Sequence, residues 1–142
     1  MISKIIAIFL ALFVISHALE VPPALKKQVK KLHIRCANQT GVAEEVIRKA
    51  HQAGQLPSDP AFKCFLYCML EIFGLIDSEH IMHLESLVEV LPEEVHAQIQ
   101  RLADTCGTKK GADGCETAYL TVKCYIETDG PFIKGAVDDL LG

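Results

Sequence analysis

The sequence predicts an all-α fold, a compact bundle of about six helices stapled by three disulfides. Three observations carry that reading. Apolar residues recur at intervals of three and four, and no stretch alternates apolar with polar as a half-buried strand would. Prolines with acids, and glycines, fall where helices start and stop. Six cysteines, an even number, all follow an apolar leader.

The leader runs Met1-Ile2-Ser3-Lys4, then an apolar run from Ile5 to Ile15, then Ser16-His17-Ala18. One early positive charge, a short apolar core and small residues around the cut predict a secretory signal peptide cleaved after Ala18. As a helix the apolar run rises only ~16 Å, against a hydrocarbon core of ~30 Å, so a membrane anchor is the poorer reading. Residues 19–142 then form one domain, secreted and extracellular. Its formal charge is about −5, because removing Lys4 leaves 13 of the 14 basic side chains against 18 acidic ones. No basic stripe interleaves with aromatics, which argues against nucleic acid.

Pro22 and Pro23 open a helix whose stripe is Leu25, Val29, Leu32 and Cys36, with Lys26, Lys27, Lys30 and Lys31 on the far side. Asn38-Gln39-Thr40 is a glycosylation sequon at its end. Val42 to Ala53 forms the next helix, with Glu44 and Glu45 early, Arg48 and Lys49 late, and Gly54 after it, as the helix dipole favours. Asp59 caps a central helix, Pro60 begins it and Gly74 ends it. Between them Lys63-Cys64-Phe65-Leu66-Tyr67-Cys68-Met69-Leu70-Glu71-Ile72-Phe73 is apolar on nearly every side, which marks a helix surrounded by others. Ser78 is expected to cap a helix carrying Met82, Leu84, Leu87, Val88 and Leu91. Pro92, Glu93 and Glu94 start another, with Val95, Ile99, Leu102 and Cys106 as its stripe. After a loop from Gly107 to Gly114, Cys115 to about Glu127 is the sixth, with Ala118, Tyr119, Val122 and Ile126 on one side. Asp129-Gly130-Pro131 should break it, leaving a tail from Phe132 to Gly142 that is too short to hold a helix alone.

Six cysteines in a secreted chain read as a disulfide framework. Zinc is the poorer reading, since no C-x-x-C pair occurs. Geometry removes some of the 15 possible pairings. Cys64 and Cys68 point the same way from one helix, and Cys115 and Cys124 face opposite sides of another, so neither pair should bond. Ten pairings remain open at that point.

No catalytic constellation stands out, so no enzymatic activity and no cofactor are expected. There is neither G-x-S-x-G nor H-E-x-x-H. His80 and His83, with Glu85 nearby, could in principle ligate a metal, but a polar helix face is the ordinary explanation, and no metal site is assigned. Tyr67, Tyr119 and Tyr125 offer phenol donors that could serve a ligand's oxygen in an apolar chamber.

The cysteines are separated by 27, 3, 37, 8 and 8 residues. With Lys63-Cys64-Phe65-Leu66-Tyr67-Cys68, Leu91-Pro92-Glu93-Glu94 and Cys115-Glu116-Thr117-Ala118-Tyr119, this spacing resembles the insect odorant-binding and pheromone-binding protein family over the whole mature chain. The resemblance implies the pairing Cys36–Cys68, Cys64–Cys115 and Cys106–Cys124. It also implies an apolar cavity inside the bundle and secretion into sensillar lymph. There a small hydrophobic volatile or lipid-like ligand would be carried to a membrane odorant receptor by a monomer or weak homodimer. Relatives often carry a tryptophan in the sixth helix where Leu120 stands here.

By helix face, the expected lining is Met69, Ile72, Phe73 and Ile76 from the central helix and its exit. Met82, Leu84, Leu87, Val88 and Leu91 follow it, then Ile99 and Leu102, Tyr119 and Val122, and Phe132 and Ile133 of the tail. The rival reading, from another class, is an interaction protein whose own surface, with the basic face Lys26–Lys31, is recognised by a receptor. The tail is expected to lie over the chamber's mouth or the surface beside it.

Overall fold

The computed structural model describes residues 2–17 and 22–141. The expected cut after Ala18 and the terminal carboxylate of Gly142 lie outside the described residues. Helix α1 (Ile2–His17) covers the apolar N-terminal run, and its Ile2, Ile5, Ile6, Ile8 and Phe9 are exposed. Among the described residues, no helix is long and apolar enough to cross a membrane.

The domain proper contains α2 (Pro23–Thr40), α3 (Glu44–Ala53), α4 (Pro60–Ile72), α5 (His96–Cys106) and α6 (Gly114–Leu141). Two 3₁₀ turns, Leu84–Glu89 and Glu93–Val95, precede α5. No strand forms among the described residues, only an isolated antiparallel bridge between Ile76 and Met82.

Local chemistry sets most of these boundaries. The Asp59 carboxylate accepts the Phe62 N–H at 3.0 Å at the start of α4, and Pro60 occupies the first turn, where its missing N–H is harmless. Gly54 closes α3 at φ 64°, a left-handed conformation that glycine adopts without strain.

One expected helix is absent. Ser78 caps nothing, because the neighbouring Asp77 takes the turn instead. Its carboxylate accepts the N–H groups of Glu79 (2.8 Å) and Ile81 (3.0 Å), while His80 adopts φ 62°. The chain therefore doubles back through the Ile76–Met82 bridge, and only residues 84–89 coil, as a 3₁₀ turn. The expected break does occur at Asp129 (φ −152°, ψ 69°), where two helical segments of α6 meet at a kink. The Asp129 carboxylate accepts the Phe132 N–H at 3.3 Å and restarts the helix, with Pro131 in the new first turn.

Helix α4 is the centre of the arrangement, packing chiefly on α6 and α2. On one side Phe62 and Phe65 join Cys36, Ala37, Val42 and Ile47 in a core with α2 and α3. On the other, Leu66, Tyr67 and Leu70 back a second core built from α5, α6 and the segment between α4 and α5. Disulfides fix both sides: Cys36–Cys68 ties α2 to α4, Cys64–Cys115 ties α4 to α6, and Cys106–Cys124 ties α5 to α6. No cysteine is free. This pairing is the one implied by the family resemblance, out of the ten left open by spacing.

Candidate functional site

The second core is the candidate site. Ile76, Met82 and Leu84 come from the doubled-back segment, Val95, Ile99, Leu102 and Cys106 from the turn into α5 and α5 itself, and Ala118 and Tyr125 from α6. Half-buried Leu87, Val88, Val122, Phe132 and Ile133 pack against them. Ten of the fifteen expected lining residues thus meet in one apolar cluster: Ile76, Met82, Leu84, Leu87, Val88, Ile99, Leu102, Val122, Phe132 and Ile133.

The other five lie elsewhere. Met69 packs with the α2–α3 core. Ile72 (38 % exposed) and Phe73 (41 %) sit where α4 runs beyond its neighbours, and Leu91 (37 %) precedes Pro92 on the surface. Tyr119 lies beneath Lys63, whose Nζ is 4.5 Å from the ring centre, while the same ammonium donates to the Glu116 carboxylate at 2.7 Å. That ion pair raises the Lys63 pKa, the Glu116 hydrogen bond contributing most. It reinforces the α4–α6 contact beside Cys64–Cys115.

Two residues that periodicity passed over hold the wall of this site. Thr117 and Thr121 are buried on α6. The Thr121 hydroxyl accepts the Lys109 N–H at 2.9 Å, and the Thr117 hydroxyl accepts the Gly111 N–H at 3.0 Å. The loop between α5 and α6 is strapped down in this way. At its start the Thr108 hydroxyl accepts the Met82 N–H at 2.9 Å, tying the strap to the doubled-back segment. The signal was present in the sequence: Thr117 and Thr121 share a helix face with Ala118 and Tyr125 at helical spacing.

Histidines serve the frame. His83 lies with Nε2 2.7 Å from Asp77 and Nδ1 3.5 Å from Glu85. Hydrogen bonding to His83, and then to the Ile81 N–H, lowers the Asp77 pKa to about 2. The Asp77 hydrogen bond correspondingly raises that of His83. The ring of His80 meets that of Tyr67 edge-on at 5.6 Å. No group of three metal-ligating side chains occurs among the described residues.

The tail lies over α3 and α2. Asp138 is 2.5 Å from His51 Nε2 and 3.0 Å from Lys134 Nζ, and both lower its pKa, Lys134 more. Leu140 closes a groove of about 680 Å³ whose other walls are Lys26, Lys27, Lys30, His33 and Ile34 of α2 and Glu44, Glu45, Ile47, Arg48 and His51 of α3. Charges of both signs line this groove, so it is neither the apolar site nor a purely basic face. The sequon lies in the last turn of α2, with Asn38 exposed and the Thr40 hydroxyl donating to the Cys36 carbonyl at 2.7 Å.

The model of the PBP/GOBP family matches residues 18–128. General odorant-binding protein 69a of Drosophila melanogaster is 51 % identical over 148 aligned positions, covering 100 % of both chains. Two solved structures align well. The medfly odorant-binding protein CcapOBP22/CcapOBP69a does so with a TM-score of 0.74 and 42 % identity, over 81 % of this chain and 99 % of its own. Odorant-binding protein 7 of Anopheles gambiae, with four disulfide bridges and in complex with an azo compound, has a TM-score of 0.76 and 32 % identity over 87 % and 99 %.

Proposed function

This chain belongs to the PBP/GOBP family, and from that premise we propose that it carries small hydrophobic odorants or pheromones in the apolar cluster between α4, α5 and α6. The observation that carries the reading is the composition of that cluster. It gathers apolar side chains from four separate parts of the chain, held by a disulfide frame and a hydrogen-bonded strap. A site of this kind binds by apolar contact and sorts ligands chiefly by size and shape. Each bridge restricts the unfolded chain, so the frame can tolerate a less completely filled interior than an unstapled bundle of this size.

Residues 1–18 act as a secretory signal peptide in this reading, supported by the outward-facing isoleucines of α1. The mature protein is extracellular and delivers its ligand through sensillar lymph to a membrane receptor, without catalysis. The relative solved in complex with an azo compound supports a small organic cargo.

Displacement of a fluorescent apolar probe by a panel of volatiles tests the proposal. Micromolar displacement is expected. If no volatile or lipid displaces the probe, the carrier reading fails, and recognition of the protein's own surface becomes the better account.

A further inference from the structure

Tyr125 is the polar exception inside the apolar cluster. The side chain is 3 % exposed, and its hydroxyl is buried with no hydrogen-bond partner. The contrast with its helix neighbours is sharp, because buried Thr117 and Thr121 each bond a backbone amide. A buried hydroxyl left unpaired is destabilising, so one retained inside an apolar core calls for a partner from outside the chain.

The surroundings restrict what that partner can be. The other members of the cluster are uncharged. Burial raises the phenol's pKa strongly, so the group is a neutral O–H donor. A ligand carboxylate brought here would lose its hydration and find no cation to pair with among the cluster's side chains. A neutral acceptor oxygen would meet neither cost.

We propose that the Tyr125 hydroxyl is the polar anchor of the site, donating to a neutral ester, ketone, aldehyde or alcohol oxygen on an otherwise apolar ligand, and that it selects such ligands over fatty-acid anions. The inference rests on the carrier reading and deepens it.

The test uses the folded protein, the probe N-phenyl-1-naphthylamine, and three matched competitors: dodecane, dodecyl acetate and dodecanoate at neutral pH. Dodecyl acetate should bind about tenfold more tightly than dodecane, the equivalent of one buried hydrogen bond, and more tightly than dodecanoate. Tyr125→Phe should bring the ester-to-hydrocarbon ratio close to one and raise the melting temperature of the ligand-free protein. An unchanged ratio in Tyr125→Phe overturns the proposal, as does dodecanoate outcompeting the ester in the parent protein. Should the variant fail to fold, ¹³Cζ-tyrosine spectra of the parent decide. Of its three tyrosines, one should shift with the ester and not with dodecane, and no ester-specific shift overturns the proposal. Failure of all three compounds to displace the probe overturns the carrier reading, and the anchor with it.

Discussion

Replacing Thr121 by valine isolates the strap that holds the loop between α5 and α6. Thr121 is fully buried. Its hydroxyl accepts the Lys109 N–H at 2.9 Å and donates to the Thr117 carbonyl at 2.8 Å. Valine keeps the volume, so no cavity term enters. The Thr117 carbonyl retains its place in the helix ladder, so the consequential loss is the acceptor for Lys109. An unpaired backbone N–H costs ~1–3 kcal/mol, and the low end applies because Lys109 is exposed and water can reach its amide. The added buried methyl returns part of this, leaving a net loss of about 1 kcal/mol. Thr121→Ser keeps the hydroxyl and loses a methyl, so its cost is similar but its cause is different. Urea unfolding gives the two totals, and amide hydrogen exchange separates them. The Lys109 amide should lose protection in Thr121→Val and keep it in Thr121→Ser. Unchanged protection in the valine variant, or equal loss in both, refutes the strap.

Three further outcomes are expected. Removing the Cys106–Cys124 bridge by paired serine substitutions should cost about 3 kcal/mol, from loop-closure entropy at a separation of 18 residues. The Cys64–Cys115 bridge, at 51, should cost about 4 kcal/mol, both read by urea unfolding. Gly114→Ala should lower stability by ~1–3 kcal/mol in thermal melts, because its Cβ would stand 2.7 Å from the Tyr67 ring and 3.0 Å from His80 Nε2. For the Asp77–His83 pair the signs differ by partner. The raised His83 pKa gives stability that is full below about 6.5 and is lost as pH rises through the folded value. The lowered Asp77 pKa gives stability present above about 3.9 and lost as pH falls toward about 2. Melting temperatures of the parent should therefore exceed those of His83→Gln by more at pH 5.5 than at pH 8.5, and a constant difference would contradict the pairing.

Most helices were legible because their signals are local. Pro60 with Asp59 before it, the 3-and-4 stripe through Cys106, and the glycines after Ala53 and Phe73 act within one or two turns of chain. The segment after α4 was misread for an instructive reason. Met82, Leu84, Leu87, Val88 and Leu91 do share spacing suited to a helix, and Ser78 is a competent cap. Asp77, one residue earlier, offers its carboxylate to two amides of a turn and to His83 at once, and that combined gain depends on a backbone reversal no periodicity shows. The tail is the opposite case. Residues 130–141 are too short for a helix in isolation, but the cluster receives Phe132 and Ile133, and α3 receives Asp138. Tertiary contacts supply what length cannot. For the site, periodicity found the faces but not the ends of elements. Ile72 and Phe73 continue the apolar face of α4 beyond the neighbours that cover it.

The restraints are distributed unevenly around the apolar site. Leu66 of α4 touches both cores, so this helix is a wall common to each. All three bridges join α2, α4, α5 and α6 to one another, and none touches residues 73–92. That segment contributes Ile76, Met82, Leu84, Leu87 and Val88 to the cluster, yet it is held by an isolated bridge, the Asp77 turn, a 3₁₀ turn and the Thr108 strap. Hydrogen bonds of this kind open at lower free energy than a packed, cross-linked helix pair. The covalent frame thus fixes three sides of the apolar site. The fourth side has no bridge and is held by the burial of Ile76, Met82 and Leu84 together with its turn hydrogen bonds.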